Sequence, residues 1–129
     1  MRCRLFLLPA LLSLASCESL GLVDNGTKLA FLLERSARQL LASGEDALVA
    51  EYEPIGGPNQ AYEIKVSKSL RADAPFGGYL TVTGKANGGT SYHGRFVDVP
   101  QTLHRNIENG PARLTLRNTN GRVNLVSIE

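Results

Sequence analysis

Ala112-Arg113-Leu114-Thr115-Leu116-Arg117-Asn118-Thr119-Asn120-Gly121-Arg122-Val123-Asn124-Leu125 is the stretch whose reading decides the fold. Ala112, Leu114 and Leu116 alternate with Arg113, Thr115 and Arg117, the period of a strand with one face in a core and the other in water. Asn120-Gly121 then supplies the two residue types that take up positive φ most readily, so the chain reverses there. With those two as the turn, Leu116 stands across from Leu125 and Arg117 across from Asn124. Val123 and Leu125 share the core face. Ile128 falls on the opposite face in a regular ladder, and only a bulge near Val126 would change that.

The same alternation runs upstream. Tyr62, Ile64 and Val66 alternate with Glu63, Lys65 and Ser67, and Leu48, Ala50 and Tyr52 with Val49, Glu51 and Glu53. Leu80 and Val82 oppose Thr81 and Thr83 in a strand over 79–85, reached by a loop over 69–78 that carries Pro75 and Gly77-Gly78. Asn87-Gly88-Gly89 reads as a hairpin turn leading into a strand over 91–99. In the segment from Pro100 to Pro111, Leu103 and Ile107 are the only apolar anchors, which suits a short strand or an irregular loop.

Before Asp46 the period is that of a helix. Leu29, Leu32, Leu33, Ala37, Leu40 and Leu41 fall on one face, with Glu34, Arg35 and Arg38 on the other. Asp24-Asn25-Gly26-Thr27 is a cluster of turn and cap residues, and Ser43-Gly44 suits a helix end. The spacing predicts a helix over about 27–43. Phe31 lies away from the leucine stripe, near the charged face. Together these elements predict an α+β fold: one N-terminal amphipathic helix followed by six or seven antiparallel strands, as a meander or small β-sandwich.

The start of the chain has a different character. Arg2 and Arg4 precede an apolar run of about ten residues, Leu5 to Leu14, that ends in small residues, the layout of a secretory signal. The run is too short for a spanning helix, which needs roughly 20 apolar residues. Leu14-Ala15-Ser16-Cys17 resembles the lipobox of bacterial lipoproteins. That resemblance implies cleavage before Cys17, acylation of the Cys17 thiol, including palmitate-type chains, and attachment of the mature chain to a membrane of the cell envelope. The expected division is a signal peptide over 1–16, a lipidated tether over 17–26, and a single α+β domain over 27–129. At roughly 3.3–3.6 Å per residue, about nine residues of tether hold the domain within about 30 Å of the bilayer. Glu18 is not the aspartate that commonly retains lipoproteins in the inner membrane, which points to the periplasmic face of the outer membrane.

Losing the leader changes the charge balance. The whole chain has 14 basic and 12 acidic side chains. Without Arg2 and Arg4 both counts are 12, so the mature domain has no net field to steer it toward nucleic acid, and none is expected as a partner. Cys3 leaves with the leader and Cys17 is taken by lipid, so the mature domain has no disulfide.

The residues offer little for catalysis. The two histidines are His93 and His104, and no His or Cys pattern with metal-ligand spacing is present, so neither a metal nor a cofactor is expected. Gly89-Thr90-Ser91-Tyr92-His93 approaches the nucleophile elbow, but His replaces the last glycine, and a hairpin replaces the strand-to-helix turn that motif needs. Glu51 and Glu53 share a strand face, but a glycosidase needs a sizeable cleft around such a pair, which a chain this short, with no Trp to stack on sugars, does not suggest.

The reading is therefore a lipid-anchored, non-enzymatic binding module. It assists the assembly or stability of an envelope complex, by analogy with the pilotins of secretion systems. The alternative is a periplasmic inhibitor or ligand-binding lipoprotein of the lysozyme-inhibitor type, although those commonly rely on disulfides. The expected attachments are the membrane, through Cys17, and an envelope protein. The candidate contact residues for that protein are Phe31, Arg113 and Arg117. The two arginines share one strand face.

Overall fold

A computed structural model describes residues 24–57, 59–68, 78–84, 88–92 and 97–129. Within them the chain forms one helix, α1 (Asn25–Ser43), and eight strands. These are β1 (Ala47–Tyr52), β2 (Tyr62–Lys68), β3 (Gly78–Thr83), β4 (Gly88–Tyr92), β5 (Val97–Asp98), β6 (Leu103–Ile107), β7 (Ala112–Thr119) and β8 (Arg122–Ile128). The class is α+β. The strand count exceeds the six or seven expected because the single strand read over 91–99 is two among the described residues, β4 and β5, while β6 forms in the segment from Pro100 to Pro111.

The strands divide into two four-stranded sheets, ordered β1-β7-β8-β5 and β4-β3-β2-β6. All neighbours run antiparallel except β5 and β8, which pair in parallel over two residues. That exception departs from the expected all-antiparallel arrangement, and it arises because the chain crosses between sheets before and after β5. A single hydrophobic cluster draws on the helix and both sheets. It includes Leu29, Leu33 and Leu40 of α1, Ile64, Val66, Leu80 and Val82 of one sheet, and Leu114, Leu116, Leu125 and Ile128 of the other.

The helix begins at Asn25, two residues earlier than its leucine spacing suggests. The Asp24 carboxylate accepts a hydrogen bond from the Thr27 amide at 2.8 Å, which makes Asp24 the N-cap. Asn25 and Gly26 then lie in the first turn, buried. At the other end Gly44 sits at φ 73° and returns its N–H to the Leu40 carbonyl, closing the last turn. Leu29, Leu33, Ser36, Ala37 and Leu40 form the buried face, while Leu32 and Leu41 lie at its margins, half-buried.

The C-terminal hairpin is as its sequence reads, with one informative difference. Asn120 and Gly121 both take positive φ, 55° and 85°, and the Gly121 amide is held by the Asn118 side chain at 2.9 Å. Leu116 faces Leu125 and Arg117 faces Asn124. Between Thr115 and Leu116 the register shifts, so that Thr115 faces Ser127 and Leu114 faces Ile128. Val126 is the extra residue of a bulge. One inserted residue reverses the phase of everything beyond it, so Ile128 returns to the core and is 2% exposed, correcting the regular-ladder expectation. Deleting Val126 would give a regular ladder with Ser127 still on Thr115 and Ile128 still on Leu114. Chemical denaturation should place that deletion within about 1.5 kcal/mol of the parent, and a collapse of the fold would contradict the assigned register.

Gly88 and Gly89 form no turn; they are the first residues of β4, and Asn87 lies outside the described residues. Close approach explains glycine in a strand here. A Cβ on Gly88 would stand 2.5 Å from the Asn25 nitrogen, and one on Gly89 would stand 2.7 Å from the Tyr79 hydroxyl oxygen. β4 therefore serves as the surface on which the helix start rests, with the Tyr79 side chain lying over Gly89. The loop expected over 69–78 lies outside the described residues apart from Gly78.

Candidate functional site

The two sheets leave two sides of the body to be closed, and the chain closes them differently. On one side β1 and β4 are the edge strands, and α1 packs against both, as well as against β3. On the other side the edge strands are β5 and β6. β5 is two residues long and covers β8 only at Val123 and Asn124. β6 has β2 as its partner, and no ladder joins β6 to β8 among the described residues.

What spans that gap is a side chain. Leu103, Arg105 and Ile107 share one face of β6, across from the buried Val66, Ile64 and Tyr62; Leu103 and Ile107 are half-buried there, while Arg105 stays exposed. Leu103 and Ile107 pack against the core cluster. Arg105, between them, reaches across to β8 and donates from Nε to the Ile128 carbonyl at 2.9 Å. Beside this bridge lies an open, polar cleft of about 350 Å³, lined by residues 101–105 and 126–128. Leu103 and Arg105 form one wall, Val126 and Ser127 the other.

The outer face of β6 carries a second feature. His104 lies diagonally across from Glu63 of β2, and its Nε2 meets the Glu63 carboxylate at 2.5 Å. Both side chains are nearly half exposed. A contact between two such exposed side chains contributes little to stability, but it occupies the Glu63 carboxylate at the flank of the cleft. At the far end of β8, Arg122 lies 3.5 Å from Asp98 of β5.

The residues singled out in the sequence are not brought together. Phe31 is 62% exposed on α1. Arg113 and Arg117 are exposed on the outer face of β7, as their alternation predicts, but their neighbours differ. Arg113 stands across from Glu51, Arg117 across from Ala47 and Asn124. Glu51 offsets the charge of Arg113, so Arg117 is the more distinct positive point. Cys17 and His93 lie outside the described residues. Ser91 belongs to β4, a strand and not a strand-to-helix turn. Among the described residues no group of three or more His, Cys, Asp or Glu side chains is placed to hold a metal ion.

Two buried tyrosines brace the end of the body nearest the helix start. The Tyr52 hydroxyl donates to the Asn25 side-chain oxygen at 2.6 Å, and the same oxygen accepts from the Ile55 amide at 2.8 Å. The Tyr62 hydroxyl donates to the Gly110 carbonyl at 2.6 Å. Burial, and then the Glu53 charge, push the Tyr62 phenol above its ordinary value, against the Ala112 amide, which favours the phenolate. Because its folded value is raised, the stability it contributes is whole below the unfolded value near ~10 and is lost as pH rises through the folded value. An alkaline titration followed by tyrosinate absorbance should show a late-ionising component that is lost in Tyr62→Phe. Ionisation of every tyrosine in step with free tyrosine would contradict this.

Comparison with protein-family models, curated proteins and solved structures finds no match for this chain. The assignment of a site therefore rests on the geometry above. Sequence reasoning missed Arg105: it sits in the segment with the fewest apolar anchors, and its place on the face it shares with Leu103 and Ile107 follows from its pairing with Ile64. The available signal was its place midway between Leu103 and Ile107, one strand period from each.

Proposed function

We propose that this protein is a lipid-anchored, non-enzymatic binding module that acts at the periplasmic face of the outer membrane and assists an envelope complex. The observation that carries the reading is Leu14-Ala15-Ser16-Cys17 at the end of a short apolar run with a basic start. One acyl chain binds a bilayer only marginally, so stable attachment takes two or more, as lipoprotein cysteines carry. The two-sheet body supports the reading in a general way: it is small and braced from within, and it presents the edge of β6 at an open side. Among the described residues no helix is long and apolar enough to cross a membrane.

The test is cellular fractionation of Cys17→Ser beside the parent. The anchored reading expects the parent in the membrane fraction and released by detergent, with the variant lost from that fraction. Equal membrane retention of both would contradict it.

A further inference from the structure

We propose that the cleft between β6 and β8 receives an extended peptide segment bearing a carboxylate, whose backbone adds to the free edge of β6 while the carboxylate meets Arg105. The inference deepens the binding-module reading, on which it rests, by naming the class of partner.

Three observations lead to it. First, among the described residues β6 has a strand partner on one side only, and the cleft lies along its other side. An unpaired strand edge offers amide and carbonyl groups to an incoming strand, and such addition is a recurring mode of peptide recognition. Second, Arg105 is already held by its Nε–Ile128 hydrogen bond. A guanidinium fixed through Nε keeps both terminal nitrogens as a planar fork, the arrangement that takes a carboxylate in two parallel hydrogen bonds. Third, the charge pattern selects the occupant. A second copy pairing antiparallel through β6 about its central residue would set Arg105 against Arg105, and like charges placed directly opposite destabilise a strand pair. Glu63, the nearest acidic side chain on β2, is engaged with His104. The edge thus disfavours its own copy and favours an acidic strand.

The cleft also limits the fit. Ser127 and Thr102 make its lining polar, so a long apolar side chain gains little there, and a short polar segment around one Glu or Asp suits it.

The experiment uses the mature protein in detergent micelles with isotopically labelled backbone amides. Three synthetic peptides are titrated: one alternating Thr and Val with a central Glu, one with Lys at that place, and one with Glu but a methylated backbone. The proposal expects the Glu peptide to shift and protect amides of β6 and the end of β8. It expects the Lys peptide to bind about tenfold more weakly, the methylated peptide to fail, and Arg105→Gln to abolish the preference for Glu. Glu and Lys peptides of equal affinity, or no perturbation at β6, would overturn it. Perturbation confined to Phe31 or Arg117 would also overturn it while leaving the binding-module reading in place. That reading fails separately, if Cys17→Ser stays with the membrane.

Discussion

Asn25→Leu should lower the stability of the folded chain by about 1–3 kcal/mol, read as the midpoint shift in chemical denaturation. The loss follows from what the substitution strands. The Asn25 side-chain oxygen accepts from the Tyr52 hydroxyl and from the Ile55 amide, and Asn25 is 2% exposed. Leucine fills a similar volume but has no side-chain acceptor: the Ile55 amide loses its partner, at about 1–3 kcal/mol, while the Tyr52 hydroxyl exchanges its 2.6 Å bond for the Asn25 backbone carbonyl at 3.2 Å. Natural domains have only about 5–15 kcal/mol in total, so this one residue decides whether the helix start stays docked. A double-mutant cycle isolates the cause. In Tyr52→Phe one of the two donors is already gone, so Asn25→Leu should cost less on that background than on the parent. Equal costs on both backgrounds would show that Asn25 acts through something other than Tyr52.

Gly88→Ala should destabilise by about 3 kcal/mol, at the upper end for added bulk in a packed site. The new Cβ would stand 2.5 Å from the Asn25 nitrogen and 2.8 Å from the Asp24 Cβ. Backbone cannot swing aside as a long side chain can, so either β4 or the first turn of α1 must move. Movement there also breaks the Asp24 cap and the Asn25 contacts. The loss should therefore be less than additive when Gly88→Ala is combined with Asn25→Leu. Gly44→Ala provides the contrast: nothing lies within 4 Å of a Cβ there, so its cost comes only from a φ of 73° and should be about 1 kcal/mol. A Gly88→Ala protein as stable as the parent would contradict the close docking of α1 on β4.

Much of this architecture was legible in the residues, and the boundary of legibility has a physical basis. The β7–β8 hairpin was readable because its alternation and its Asn120-Gly121 turn are both local. The same holds for β2, where Tyr62, Ile64 and Val66 mark the inner face. The bulge at Val126 could be suspected but not placed, because only the match between Ile128 and Leu114 across the ladder fixes it. Gly88 and Gly89 read as a turn since their reason for being glycine lies in distant partners, Asn25 and Tyr79. For the helix, the leucine spacing gave its body, but its start was misjudged by two residues. There Asn25 is drawn inward by Tyr52 and Ile55, residues about thirty positions away. The site shows the same divide. Exposure of Phe31, Arg113 and Arg117 follows from periodicity alone. The cleft beside Arg105 depends on which strand is an edge, and strand order is not written in any local pattern.

Under the proposed function one sulfur atom, that of Cys17, holds this body beside a bilayer, and the most direct measurement is the intact mass of the protein extracted from membranes, with fragmentation from its N-terminus. The predicted result is a chain beginning at Cys17 with its mass raised by the acyl groups on that residue. An unmodified chain that begins downstream of Cys17, or that retains Met1, would contradict it.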